Sequence, residues 1–171
     1  MEVVIVTLLL SIFAMLGLPT LNSTMVDSRL SAAAEEIVNA LHYAQLTSMT
    51  SGRETRVVIG APEDRIAVRH YQTTADLFGG GDELLASDIE SGTYEFMPHP
   101  LKKGTDYEII LPDESRYRGV DITASDFNVA APVYFDTLGA PSKGGTVTLA
   151  LGDRQMVVTL DVLTGKVTMS N

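Results

Sequence analysis

An uncharged apolar run near the start of the chain is the feature that most limits its fold. Residues from Val3 to Leu18 carry no charge, and Glu2 and Pro19 stand at the two ends of the run. As a helix, the stretch from Val3 to Leu21 is about 28 Å long, close to the roughly 30 Å hydrocarbon core of a bilayer. A cleaved secretory signal is the alternative, but no basic segment precedes the run and no small-residue cleavage site follows it. The run therefore predicts a retained membrane-spanning helix.

Two helix-disfavouring residues, Gly17 and Pro19, stand close together at the end of this run. Proline inside a helix costs on the order of 3 kcal/mol, and glycine is the next least favourable residue. Transmembrane helices tolerate both residues where neighbouring groups satisfy the freed backbone. The alternative is that the helix is built to bend or unwind at this point.

A second helical pattern follows a short polar patch. Apolar and small residues recur there at alternating steps of three and four, which predicts an amphipathic helix lying on a domain. These residues are Leu30, Ala34, Ile37, Leu41, Ala44 and Ser48. The polar residues Glu35, Glu36, Asn39 and His42 are expected largely on its other side. Gly52 is a suitable C-terminal cap, so one long helix is predicted.

Beyond Gly52 the pattern changes from helical to alternating. Residues 55–60 and 65–71 predict a hairpin, and 93–96 and 107–111 predict short strands. Near the end of the chain, 146–151 and 154–160 predict a hairpin around Gly152 and Asp153, with Val147, Leu149 and Leu151 on its buried side. VYFDTLGAP and GKVTM complete this part, whereas 77–91 is expected to be a long loop.

These patterns predict an α+β fold in which a long N-terminal helix packs on a β-rich, mainly antiparallel head. Three parts are expected: a transmembrane half of the helix at 1–21, an amphipathic half at 22–52, and the globular head at 53–171. A second globular domain is not expected from 171 residues.

Composition and spacing give little sign of catalysis. With 22 acidic and 12 basic side chains, the formal net charge of -10 disfavours nucleic-acid binding. The chain has no cysteine, so it forms neither disulfides nor thiolate metal sites. His42, His70 and His99 have no metal-site or catalytic-triad spacing. We expect no enzyme activity, no cofactor and no metal site.

Two patterns in the predicted loop contain residue types that are found in ligand sites. Gly79-Gly80-Gly81-Asp82 lacks the Gly-Lys-Ser/Thr ending of a phosphate-binding loop, so a surface loop is favoured. Asp82, Glu83 and Asp88 carry oxygen ligands of the kind that calcium prefers, but their spacing matches no calcium loop. A solvated acidic loop is the expectation.

The spacing of Glu2 and Pro19, 17 positions apart, resembles that of the type IV pilin and type II secretion pseudopilin superfamily. The segment LGLP at 16–19 is similar to the end of that family's apolar run. SRLSAAAEEIVNALHYAQLTSMTSGRETRVVI, VYFDTLGAP, GGTVTLAL and VLTGKVTM resemble the GspH/FimT minor pseudopilin group. The matches cover both ends of the chain and leave about 72–130 without one.

The sequence departs from the family pattern at its front. The family's processing site, a glycine followed by about Phe-Thr-Leu, does not precede Met1. The resemblance then implies three further mature residues and a basic leader, and hence a start codon placed too late or a trimmed record. The expected first mature residue, three positions before Met1, would be methylated after cleavage by a prepilin peptidase.

The resemblance implies a pilin-like fold and a part in an inner-membrane-based fibre. The expected partners are other pseudopilins or pilins and the inner-membrane assembly platform, with one membrane pass and the head in the periplasm. It implies that the Glu2 carboxylate pairs with the N-terminal amine of a neighbouring subunit, and that Gly17 and Pro19 let the helix unwind between lipid and fibre. Glu2, Gly17 and Pro19 are therefore the predicted assembly residues.

Three functions remain open from the sequence. The first is a minor pseudopilin that supports type II protein secretion, and the second is a FimT-like minor type IV pilin involved in pilus assembly or DNA uptake. DNA binding in that group depends on a basic C-terminal stretch, whereas Lys166 is the only basic residue after Asp161. The third is a membrane-anchored enzyme or adhesin that does not need Glu2.

Overall fold

The fold is organised around one 50-residue helix, α1 (Glu2–Ser51). The computed structural model describes residues 2–60, 63–71 and 94–170, and within α1 it describes the side chains of 6, 7 and 25 onward. The helix is about 75 Å long at 1.5 Å per residue, and its backbone continues through Gly17 and Pro19. Gly52, at a φ of 65°, donates its N–H to the carbonyl of Ser48 at 3.0 Å. The predicted cap is therefore confirmed.

The C-terminal half of α1 presents the predicted apolar stripe to the head. All six predicted stripe residues are buried, and Ala33 and Ala40 widen the stripe. The alanines of the stripe let the helix backbone approach the sheets closely, because their side chains are only methyl groups. Glu36 is an exception to the predicted polar side, because it is half-buried against the head.

In the described part of the chain, nine strands form two antiparallel sheets. The first five are β1 (Thr55–Gly60), β2 (Arg65–Tyr71), β3 (Tyr94–Phe96), β4 (Glu108–Ile110) and β5 (Asp121–Ser125). The others are β6 (Val133–Phe135), β7 (Gly145–Leu151), β8 (Arg154–Leu160) and β9 (Val167–Ser170). Two short 3-10 helices, Leu111–Asp113 and Ser115–Tyr117, separate β4 from β5.

The first sheet has the order β3-β2-β1-β6, with β4 also pairing with β2. The β1–β2 hairpin is the one predicted, with Thr55 opposite His70 and Gly60 opposite Arg65. All six residues of β1 are buried. This central strand is covered on both faces, which explains why TRVVIG alternates less strictly than a strand with one wet face.

The second sheet has the order β5-β7-β8-β9. The predicted hairpin of β7 and β8 turns at Gly152, whose φ is 62°. Its inner residues Val147, Leu149, Val158 and Leu160 are buried, as the alternation predicts, whereas Leu151 next to the turn is only half-buried. The strand β5, which the sequence did not predict, joins this sheet beside β7 with a bulge between Ile122 and Ala124.

The described fold is thus the predicted α+β arrangement of a long helix on an antiparallel head. One continuous core joins the helix stripe to both sheets, with Phe127, Phe135 and Tyr107 among its largest side chains. The loop predicted at 77–91 lies outside the described residues. A search of the described residues found no helix with both the length and the apolar character needed to cross a membrane.

Candidate assembly surfaces

The three predicted assembly residues, Glu2, Gly17 and Pro19, all lie in α1. Along the axis, Glu2 and Pro19 are about 26 Å apart. Their side chains are outside the described part of the chain, so their contacts stay predictions. Where the helix nears the head, Oδ1 of Asp27 lies 3.7 Å from Nη1 of Arg154. The helix axis from Glu2 to Asp27 measures about 38 Å.

Glu36 joins the helix to two segments of the head. Its Oε1 accepts a hydrogen bond from the Tyr107 hydroxyl at 3.0 Å, and its Oε2 accepts one from the Tyr117 hydroxyl at 2.9 Å. Burial, together with Glu36, raises the pKa of Tyr117 to about 12 and raises the pKa of Tyr107 further. Both phenols therefore stay protonated and donate to the carboxylate at any physiological pH.

An aromatic stack next to Glu36 fixes the segment that precedes β4. The ring of Tyr107 stacks with the rings of Tyr43 and His99, at centroid distances of 5.4 and 4.7 Å. The Tyr43 hydroxyl donates to the carbonyl of Pro98 at 2.9 Å. Nδ1 of His99 accepts the backbone N–H groups of Leu101 and Lys102, both at 3.1 Å. This acceptor role requires an unprotonated Nδ1, and burial lowers the pKa of His99 accordingly.

Two similar loops meet the C-terminal third of α1. In the first loop, Oδ1 of Asp136 accepts the N–H groups of Leu138 and Ala140 at 2.9 and 2.8 Å. In the second, Oδ1 of Asp161 accepts the N–H groups of Leu163 and Thr164 at 3.1 and 2.8 Å. Hydrogen bonds from Thr164 hold the pKa of Asp161 below its usual range. Each aspartate thereby fixes the loop that follows it.

The two loops contact the helix through Gln45 and present leucines to solvent. Nε2 of Gln45 donates to the carbonyl of Gly139 at 2.9 Å, and it lies close to Gly165 in the second loop. Leu138 is 82% exposed and Leu163 is 91% exposed. We call these two loops, 136–140 and 161–165, the leucine loops. Their common Asp-x-Leu spacing was present in the sequence but was not recognised as a structural signal.

The groups considered for catalysis or metal binding are dispersed. His42 is exposed on α1, His99 is buried in the aromatic stack, and Nε2 of His70 lies 3.7 Å from a carboxylate oxygen of Glu95. Within ranges 2–60, 63–71 and 94–170, no three His, Cys, Asp or Glu residues are grouped so as to hold a metal ion. The Gly79–Asp82 pattern and the acidic residues near it lie outside those ranges.

Comparisons with known proteins give a family and a fold. A family model described as type II transport protein GspH matches residues 33–165. A solved structure, the minor pseudopilin EpsH from the type 2 secretion system of Vibrio cholerae, superimposes with a TM-score of 0.55 at 13% identity. The match covers 83% of this chain and 96% of EpsH. No match was found among curated protein sequences.

Proposed function

This chain belongs to the GspH family of type II transport proteins, and we infer that it is a minor pseudopilin of type II secretion. The family match from 33 to 165 includes most of the helix half that packs on the head and nearly all of the head itself. This is the observation that carries the inference. Proteins of this family are structural, so the role of the chain is to occupy a place in a fibre.

We propose that the partners are other pseudopilins of the same fibre and the inner-membrane assembly platform. The continuous helix supports this proposal, because a 50-residue helix with a head at one end has a long segment for packing against other helices. The head supplies the specific surfaces, among them the leucine loops. The exported protein would then be moved by the fibre as a whole.

We further propose that the subunit is anchored in the inner membrane by one pass, with its head in the periplasm. The support is the uncharged run from Val3 to Leu18. A prepilin peptidase would process the subunit before assembly, although the processing site is not present in this sequence. Gly17 and Pro19 would let the helix unwind as it moves from lipid into the fibre.

Glu2 is proposed to pair with the N-terminal amine of a neighbouring subunit. Two such charges 4 Å apart attract by about 4 kcal/mol at an effective dielectric of 20, but desolvation removes a comparable amount. The pair therefore sets the register between subunits more than it stabilises the fibre. The effect of losing it should be seen in assembly rather than in folding.

Deletion of the gene in its native host tests the function. Export of the proteins that leave by type II secretion should stop, while the other assembly proteins stay at normal levels. Complementation with Glu2→Ala should restore the protein level but not export, whereas Glu35→Ala, which changes an exposed acid on the same helix, should restore both. Normal export in the deletion strain would contradict the function, and normal export with Glu2→Ala would contradict the role of Glu2.

A further inference from the structure

The last strand, β9, lies at one edge of the second sheet. It pairs with β8 on one side, and no other backbone partner for 167–170 is found among the described residues. The strand carries no charged residue, and Thr168, Met169 and Ser170 are exposed. Natural proteins usually protect such edges, because the unpaired N–H and C=O groups can pair with another chain.

The hydrogen-bond pattern shows which groups of β9 are free to pair. Asp161 donates its N–H to the carbonyl of Lys166 at 3.0 Å, and the register continues with Thr159 opposite Thr168. Bonded pairs alternate in an antiparallel ladder, so the N–H and C=O of Thr168 and Ser170 face β8. The N–H and C=O of Val167 and Met169 therefore point away from the sheet.

On two other edge strands, some of the outward backbone groups are occupied within the chain. The outward N–H of Ile122 in β5 donates to Oδ1 of Asp64 at 2.9 Å, and a bulge follows it. On β6, Ser142 donates its N–H to the carbonyl of Tyr134 at 2.7 Å and accepts the N–H of Tyr134 through its hydroxyl at 3.0 Å. Among the described residues, β9 therefore differs from β5 and β6, because no group of the chain is found at its outward N–H and C=O groups.

We propose that β9 receives an extended strand from a neighbouring pseudopilin of the same fibre, which adds a fifth strand to the second sheet. Strand addition of this kind draws its affinity from main-chain hydrogen bonds. The exposed Leu163, four residues before β9, offers an apolar side chain next to the same edge. The proposal rests on the proposed function, since it takes the partner from the fibre.

Charge disfavours a second copy of this chain as the partner. Each copy has a formal net charge of -10, so two copies meeting edge to edge repel each other. Lys166, directly before β9, is the only basic residue between Arg154 and the end of the given sequence, and it suits an acidic residue on the incoming strand. A β9-to-β9 dimer is thus the alternative that the experiment must separate.

Photo-crosslinking in the native host tests the proposal with the full chain. A photoreactive benzophenone amino acid replaces Thr168, which is exposed and whose backbone groups face β8. Irradiation should give an adduct that mass spectrometry identifies as a covalent complex with another pseudopilin.

Met169→Pro removes the outward N–H while leaving the ladder to β8 intact, since proline is tolerated on edge strands. Met169→Ala is the matched control, because it shortens the same side chain and keeps the N–H.

The yield of this adduct should fall about tenfold in Met169→Pro and stay within about twofold of the parent yield in Met169→Ala. Thermal unfolding of the purified full chain checks that both variants fold, and Val167→Pro replaces Met169→Pro if that variant does not. An unchanged adduct in a folded proline variant, an adduct with a second copy, or no adduct overturns the proposal. Its failure is distinct from that of the proposed function, which only the deletion strain tests.

Discussion

Glu36 is a single carboxylate on which two parts of the head depend. It receives hydroxyls from Tyr107, just before β4, and from Tyr117, in the second 3-10 helix. Hydrogen bonds to a charged acceptor contribute about 1.5 to 3 kcal/mol each when shielded from water, and partial exposure of Glu36 reduces this contribution. Glu36 thus links the helix to two segments of the head that lie outside the β-strands.

Removing one of these hydroxyls should weaken the head by a measurable amount. Tyr117→Phe is expected to lower the free energy of unfolding of the full chain by about 1 kcal/mol, measured by denaturant titration in detergent. Tyr134→Phe is the control, because no hydrogen bond to the half-buried Tyr134 hydroxyl is found among the described residues, and it should change stability by less than about 0.5 kcal/mol. Equal losses in the two variants would contradict the role of Glu36.

His99 should make the fold sensitive to mild acid. Its pKa in the folded chain is lowered, mainly by burial and also by Lys102, while Glu36 and Glu114 act in the opposite direction. The unfolded chain therefore binds a proton first as pH falls below about 6.5, and stability is lost from that pH downward.

The midpoint of thermal unfolding should accordingly fall between about pH 7 and pH 5.5. In His99→Gln the amide oxygen can accept the same backbone N–H groups without titrating, so this part of the pH dependence should disappear. His42→Gln, at an exposed position on α1, should keep it. A pH dependence that is the same in His99→Gln and in the parent chain would exclude His99 as its source.

At the scale of elements, the close approach of β7 to the segment before β6 requires a glycine. A Cβ on Gly145 would lie 2.7 Å from the Cβ of Asp126 and 2.9 Å from the ring of the fully buried Phe127. Neither neighbour is the end of a flexible chain, so the start of β7 would have to move. The glycine therefore fixes how the second sheet meets the core.

Gly145→Ala should lower the free energy of unfolding by about 2 to 3 kcal/mol through this overlap. Gly152→Ala is the comparison, since nothing lies within 4 Å of its Cβ position and only its φ of 62° opposes the change, for a cost of about 1 kcal/mol. Denaturant unfolding of both variants measures the difference. A smaller loss for Gly145→Ala than for Gly152→Ala would show that β7 can shift without penalty.

Sequence periodicity predicted those elements whose burial pattern can be read from their own residues. The stripe from Leu30 to Ser48 and the alternation in β7 and β8 each give a burial pattern that needs no knowledge of the partner. The strand β5 was missed because only Ile122 among its five residues is buried, and Asp64 holds it from another part of the chain. Glu36 was placed on the polar side because a helix pattern does not contain the two distant tyrosines.

At the scale of the whole molecule, the net charge bears on the DNA-uptake alternative. A formal charge of -10 opposes the approach of a polyphosphate. The purified full chain is expected to leave the migration of duplex DNA unchanged at about 10 µM protein and about 150 mM salt. Retarded migration that weakens as salt is raised would instead support the DNA receptor.

If α1 keeps in the fibre the unbroken course that this structure shows through Gly17 and Pro19, its N-terminal half and the head turn together. Each residue of an α-helix advances 1.5 Å and turns by about 100°, and the helix is fixed to the head through its buried stripe. A shift of the N-terminal half by one residue against neighbouring helices would move the head by only about 1.5 Å along the axis. The same shift would rotate β9 about the axis by about 100°. The rotation of the helix would then set the direction in which the proposed binding edge of β9 points.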